Sequence, residues 1–225
     1  MNVGTGELIT SKRVEEPWIL SQAGELIPVF KDLHHENIVS YLGYELNGSI
    51  GWFFFEYIPG GTVAECLRKY GRLSEPVIRH IVKQTLFGLA YLHERSLCHG
   101  DLTADSIMLD SDSVCKIDMS LLSASQYSLG ISMISDDIWR LGFTAVEMFS
   151  GRQLGDFMRR PLAKAPPIPK DVSAVISPEG ASFIHDCFTV DPLDRPSAKD
   201  LLSHPFSHLD KNFNFFDTET FPQMR

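Results

Sequence analysis

Between Cys98 and Met108 the chain reads CHGDLTADSIM, a run in which small and polar residues surround the carboxylate of Asp101. A carboxylate in such a loop can accept a proton from a hydroxyl, acting as a general base. It can equally hydrogen-bond the amides of its own turn, as Asp often does. Five residues on, the hydroxyl of Ser106 can ligate a hard cation, although its short side chain requires the ion to come close or to bind through water. The four cysteines, Cys66, Cys98, Cys115 and Cys187, show neither C-x-x-C nor zinc-ligand spacing, and each has apolar neighbours. They read as reduced structural thiols of a cytosolic protein.

These residues must be held by a folded body, and the composition allows one. Of 225 residues, 44% are hydrophobic and 22% charged, enough apolar material for a real core. The net charge of −9, with acidic residues spread along the chain, excludes the clustered basic face of a nucleic-acid binder. The longest apolar stretch, IGWFFFEYI, is too short to span a bilayer and carries Glu56, so no membrane partner is expected. The first third reads as strands over ELITSKRV and IGWFFFEYI, with a helix between them whose apolar spacing is Leu26, Phe30 and Leu33 and whose interior Pro28 weakens. From Pro59-Gly60-Gly61 onward the pattern is mostly helical. SEPVIRHIVKQTLFGLAYLHE presents Ile78, Ile81, Val82, Leu86, Leu89 and Leu92 on one face, with Ser74 as candidate N-cap. SIMLDSDSVCKI reads as two short strands about an Asp110 to Ser113 turn, DDIWRLGFTAVEMF as a buried helix, and RPSAKDLLSHPF as a helix capped by Ser197 and Asp200.

Six fragments, in order, resemble the protein kinase family, and within it the MAP kinase kinase kinase group: TGELITSKRVE, HHENIVSYLG, FEYIPGGTVAECLRKYGRLSE, GLAYLHERSLCHGDL, DDIWRLG and DPLDRPSAKDLLSHPF. The resemblance implies an α+β, two-lobed kinase-like fold with a truncated N-terminal β-lobe over 1–57, a mainly helical C-terminal lobe over 58–209, and a tail over 210–225. It implies that Lys12 is the phosphate-anchoring lysine, that Phe55 is the gatekeeper, and that the backbone from Glu56 to Ile58 is the adenine-binding hinge. Asp101 then stands at the base position. Ser106 replaces the Asn that holds one Mg²⁺, Gly100 replaces an Arg that pairs with a phosphorylated activation loop, and Thr103 replaces a Lys that neutralises the phosphoryl group.

Several departures from the family pattern follow. Family spacing puts Leu26, not Glu25, where the helix carboxylate belongs, so Glu25 is expected in solvent. Read without gaps, Met119, Ser120 and Leu121 fall on D-F-G and Asp118 comes one residue early, its side chain turned from the phosphates. A one-residue deletion would instead make Asp118-Met119-Ser120 a degenerate D-F-G. These 225 residues begin near the turn before the Lys12 strand, leaving no G-x-G-x-x-G cover. The stretch from Asp118 to Asp137 is about thirty residues shorter than in the family and lacks A-P-E, so Arg195 is expected to be a capping or surface residue. Each lost electrostatic donor costs about a hundred- to a thousandfold in rate. The expectation is a pseudokinase that holds ATP and Mg²⁺ weakly or not at all and works in the cytoplasm by binding other kinases or signalling proteins. Two alternatives are an active serine/threonine kinase using Lys12, Asp101 and a realigned Asp118, and a kinase fragment that does not fold stably.

Overall fold

The computed structural model describes residues 6–119, 130–154, 164–209, 213, 214 and 218. Its first sheet has the order β1 (Ile9–Val14), β3 (Ile50–Glu56), β2 (Tyr41–Asn47), all antiparallel. In β3 the alternation is clean. Phe53 and Phe55 are buried on one face, while Trp52 and Phe54 are half-buried on the other. Lys12 lies opposite Phe53, so its side chain shares the inner face. The strand β2 is absent from the sequence reading because YLGYELN carries Gly43, Glu45 and Asn47 and lies on the sheet's edge, where burial imposes little alternation. A two-residue turn joins it to β3, with Gly48 at φ 61°, where a side chain would be strained.

Between β1 and β2 runs α1 (Pro17–Asp32), which buries Ile19, Ala23, Leu26 and Phe30 at helical spacing. It begins at Pro17, a residue suited to the first turn, and continues through Pro28. Pro28 is exposed, and the residue four positions before it, against which its ring would press, is the exposed Gly24. Phe30 fastens the helix to the sheet through the rings of Tyr41, Phe53 and Phe55, at 5.8–6.1 Å between centroids.

The rest of the chain is mainly helical. After α2 (Val63–Tyr70), whose first turn is a complete capping box of Thr62 and Glu65, α3 (Glu75–His93) forms the spine. All six residues expected on its apolar face are fully buried. Ser74 stands at the N-cap with extended backbone, but its hydroxyl makes no cap bond, and Pro76 removes one of the amides it could have received. The short hairpin β4 (Ile107–Leu109) and β5 (Cys115–Ile117) flanks α3, its turn closed by Asp110 Oδ1, which accepts from the Asp112 and Val114 amides. Next come α4 (Gly130–Ser150), α5 (Lys170–Ser173), α6 (Pro178–Cys187) and α7 (Ala198–Leu202). The expected Ser197–Asp200 capping box opens α7. One continuous core runs from Val14 in the sheet to Phe206 beyond α7. Of the tail, Phe213 packs on His80 of α3, with ring centroids 5.2 Å apart.

The four cysteines are buried and free. Burial pushes the Cys66 and Cys98 thiols up to about 11, and those of Cys115 and Cys187 higher, so all four remain protonated at neutral pH. No helix among the described residues is long and apolar enough to cross a membrane.

Candidate functional site

The site is built where β5 ends. That strand is stitched to the chain following α1 by the Ile117 amide donating to Asn37 (2.9 Å) and the Val39 amide donating to Ile117 (3.0 Å). Its alternate residues Cys115, Ile117 and Met119 are all within 1% of complete burial. The residues between them, Lys116 and Asp118, therefore face the sheet across the cleft. Lys116 reaches Glu56 (2.8 Å), and Asp118 Oδ2 reaches Lys12 Nζ (2.7 Å).

This corrects the ungapped reading, which turned Asp118 from the cleft. The apolar set that fills the core includes Met119, and the pleat sends Asp118 the other way. Lys12 Nζ also donates to the Met119 carbonyl (3.3 Å) and lies 5.5 Å from the centre of the Phe55 ring. Glu25 is exposed and Leu26 buried, as the spacing requires, so α1 brings no carboxylate from either position to Lys12.

Beneath the cleft, the loop from His99 to Ser106 is fastened chiefly by its backbone. Asp137, in α4 and fully buried, accepts the His99 and Gly100 amides (both 2.7 Å) and a contact from His93 Nε2 (2.9 Å). Gly100 has φ 75°, where the Arg it replaces would be strained. The buried His99 ring bridges the loop to β5. Its Nε2 bonds the Asp118 carbonyl (2.9 Å), and its Nδ1 accepts the Asp101 amide (3.3 Å). That arrangement is the neutral imidazole with the proton on Nε2, and burial lowers the pKa of His99 accordingly, against the opposing pull of Asp137.

The side chains that could do chemistry are engaged differently. The Asp101 carboxylate, about half exposed, takes Arg140 Nη1 of α4 at 2.9 Å and not the loop amides. The Ser106 hydroxyl accepts from the Thr103 amide and donates to the Thr103 carbonyl, both at 2.9 Å. Phe55 and Ile58 are buried, and the Glu56 carboxylate accepts the Ser40 amide (2.7 Å) as well as Lys116. Burial alone would raise Glu56, but those bonds outweigh it and hold the carboxyl below the usual range. Just past Ile58, a cavity of about 250 Å³ opens between Pro59-Gly60-Gly61 and one side of α2.

The donor set does not fit a pair of divalent ions. Asp118 is neutralised by Lys12, the Ser106 hydroxyl is closed onto Thr103, and among the described residues no three His, Cys, Asp or Glu side chains converge to hold a metal.

Arg195 is also corrected. Its side chain is fully buried, donating to the Ser135 and Thr189 carbonyls and lying 3.5 Å from Asp136 and 5.1 Å from the centre of the Trp139 ring. Three residues of the site, His93, His99 and Arg140, had no role in the sequence reading, and Asp137 entered it only as the buried Asp of DDIWRLG. DDIWRLG marks Asp137 as buried, but no spacing rule connects Arg140 to Asp101.

Residues 2–119 match the protein kinase domain family. The chain belongs to the protein kinase family. It is 38% identical to the serine/threonine-protein kinase BCK1/SLK1/SSP31 of Saccharomyces cerevisiae, over 97% of this chain and 18% of that protein. It is 35% identical to the MAP kinase kinase kinase mkh1 of Schizosaccharomyces pombe, over all of this chain and 24% of that protein. To the mitogen-activated protein kinase kinase kinase A of Dictyostelium discoideum the identity is 34%, over 94% and 26%. The chain thus spans about a fifth to a quarter of the length of these relatives. The alignment with the Saccharomyces kinase runs over 261 positions, more than this chain's 225 residues, so that relative holds internal residues with no counterpart here.

Proposed function

We propose that this chain is a MAP kinase kinase kinase-type kinase domain deficient in phosphoryl transfer, acting in the cytoplasm as a scaffold or allosteric partner of other kinases or signalling proteins. Residues 1–57 form its small lobe, 58–209 its large lobe and 210–225 a tail. The observation that carries this reading is the pairing of Lys12 with Asp118 at 2.7 Å. A kinase needs that ammonium on the nucleotide's phosphates and that carboxylate on a metal. Here each neutralises the other, and neither Glu25 nor Leu26 supplies the competing carboxylate that would hold the lysine in place. Nucleotide enters such a cleft only by breaking the pair, so ATP binding is weak. With Thr103 and Ser106 in place of a cation and a metal ligand, transfer is slow.

Thermal unfolding under Mg·ATP titration, alongside phosphate transfer compared between wild type and Asp101→Asn, tests the proposal. The expected result is a small or absent rise in melting temperature and no transfer that Asp101→Asn abolishes. Robust transfer lost in that variant would establish the second reading, an active serine/threonine kinase. The orientation of Asp118 toward the cleft favours that reading, as does the half-exposed Asp101 carboxylate. The third reading, an unstable fragment, predicts no cooperative melt; the single continuous core weighs against it.

A further inference from the structure

The Lys12 ammonium sits at a point bordered by a carboxylate oxygen of Asp118 at 2.7 Å, the carbonyl oxygen of Met119 at 3.3 Å and the Phe55 ring at 5.5 Å. Two hard oxygens from adjacent residues, one of them anionic, are a partial shell of the kind that divalent ions complete with water. We infer that Lys12 is the resident cation of this shell and keeps divalent ions out of it.

The inference rests on reading the Lys12–Asp118 cleft as the nucleotide cleft, and it adds that the cleft is closed to metal before any nucleotide arrives. Three observations lead to it. The lysine is tethered on β1 opposite Phe53, in the middle of a strand paired throughout with β3, so its ammonium is delivered at high local concentration. Glu25, the carboxylate in the middle of α1, is exposed and does not draw the lysine away. The side chains of Lys12 and Asp118 are 30% and 20% exposed, partly withdrawn from water, so a divalent ion must displace the ammonium and lose much of its own hydration for only two protein oxygens. Ser106 adds no third, because its hydroxyl is closed onto Thr103.

Removing the ammonium should therefore create a cation site. Mn²⁺ alone, without nucleotide, is titrated into wild type, Asp118→Asn, Lys12→Met and the Lys12→Met/Asp118→Asn double variant. Free ion is followed by electron paramagnetic resonance, and melting temperature is measured at each concentration. The curves of wild type and Asp118→Asn should coincide. Lys12→Met should bind one further ion per chain and show a saturable rise in melting temperature, and the double variant should lose both. Lys12→Gln serves in place of Lys12→Met if the latter does not melt cooperatively. An ion bound by wild type and lost in Asp118→Asn would overturn the inference, as would Lys12 variants that follow the double variant. Neither outcome depends on phosphate transfer, so the proposed deficiency in catalysis can fail while this stands, and the reverse.

Discussion

The floor of the site and its cleft are built from neighbouring residues but held by opposite means. On the floor, Asp137 has no exposed surface and its two carboxylate oxygens serve the His99 and Gly100 amides and His93, while the buried His99 ring ties the loop to β5. In the cleft, the reactive groups are partly exposed: Lys12 pairs with Asp118, Asp101 with Arg140 of α4, and Ser106 with Thr103 of its own loop. The shape of the loop and its reactive groups are thus carried by different atoms, backbone amides for the one and side chains for the other.

Asp137→Ala should produce the largest effect. It leaves the buried His99 amide, the partly buried Gly100 amide and the His93 ring without their buried acceptor, and removing one partner of such a network costs about 3–5 kcal/mol. Urea melts should show it, and an effect below about 1 kcal/mol would mean that the floor is no more firmly held than the cleft. Gly142→Ala asks whether that rigidity depends on α4 lying tightly on α6. A methyl there would come 2.6 Å from the Cys187 Cβ, and overpacking of this kind costs about 1–3 kcal/mol.

The pH dependence separates the regions by a different route. Burial lowers the pKa of His99 in the folded protein relative to the ordinary 6.5. The unfolded chain therefore binds the proton first as pH falls, and stability present above about 6.5 is lost progressively below it. Burial lowers His80 in the same sense. His99→Asn should flatten the stability profile between about pH 6.5 and 5. The smallest effect belongs to the cleft. A double-mutant cycle on Asp101→Asn and Arg140→Met should return a coupling of only about 0.2–1 kcal/mol, because the carboxylate is half in water. A coupling of several kcal/mol would move this pair to the floor.

Much of the scaffold was readable in the chain because burial imposes a period. The face of α3 from Ile78 to Leu92, the β4–β5 hairpin and the Ser197–Asp200 cap all stand where apolar spacing and capping chemistry put them. The edge strand β2 escaped, having no two-sided burial to stamp a pattern on it. Pro28, expected to weaken α1, does not interrupt it, and the helix runs on to Asp32. Arg195 lay deeper than expected, since Ser135, Asp136 and Trp139 on α4 and the carbonyls of Thr189 and Val190 receive it.

By itself the sequence determined the family, the long helices and the residues that stand at Gly100, Thr103 and Ser106, all of which are matters of residue type and spacing. Only the tertiary structure decided which way Asp118 points and what Lys12, Asp101 and Arg195 touch. The physical reason is that a strand's two faces are equivalent until a core claims one of them. Once Cys115, Ile117 and Met119 are buried beneath the sheet, Lys116 and Asp118 have no other direction to take.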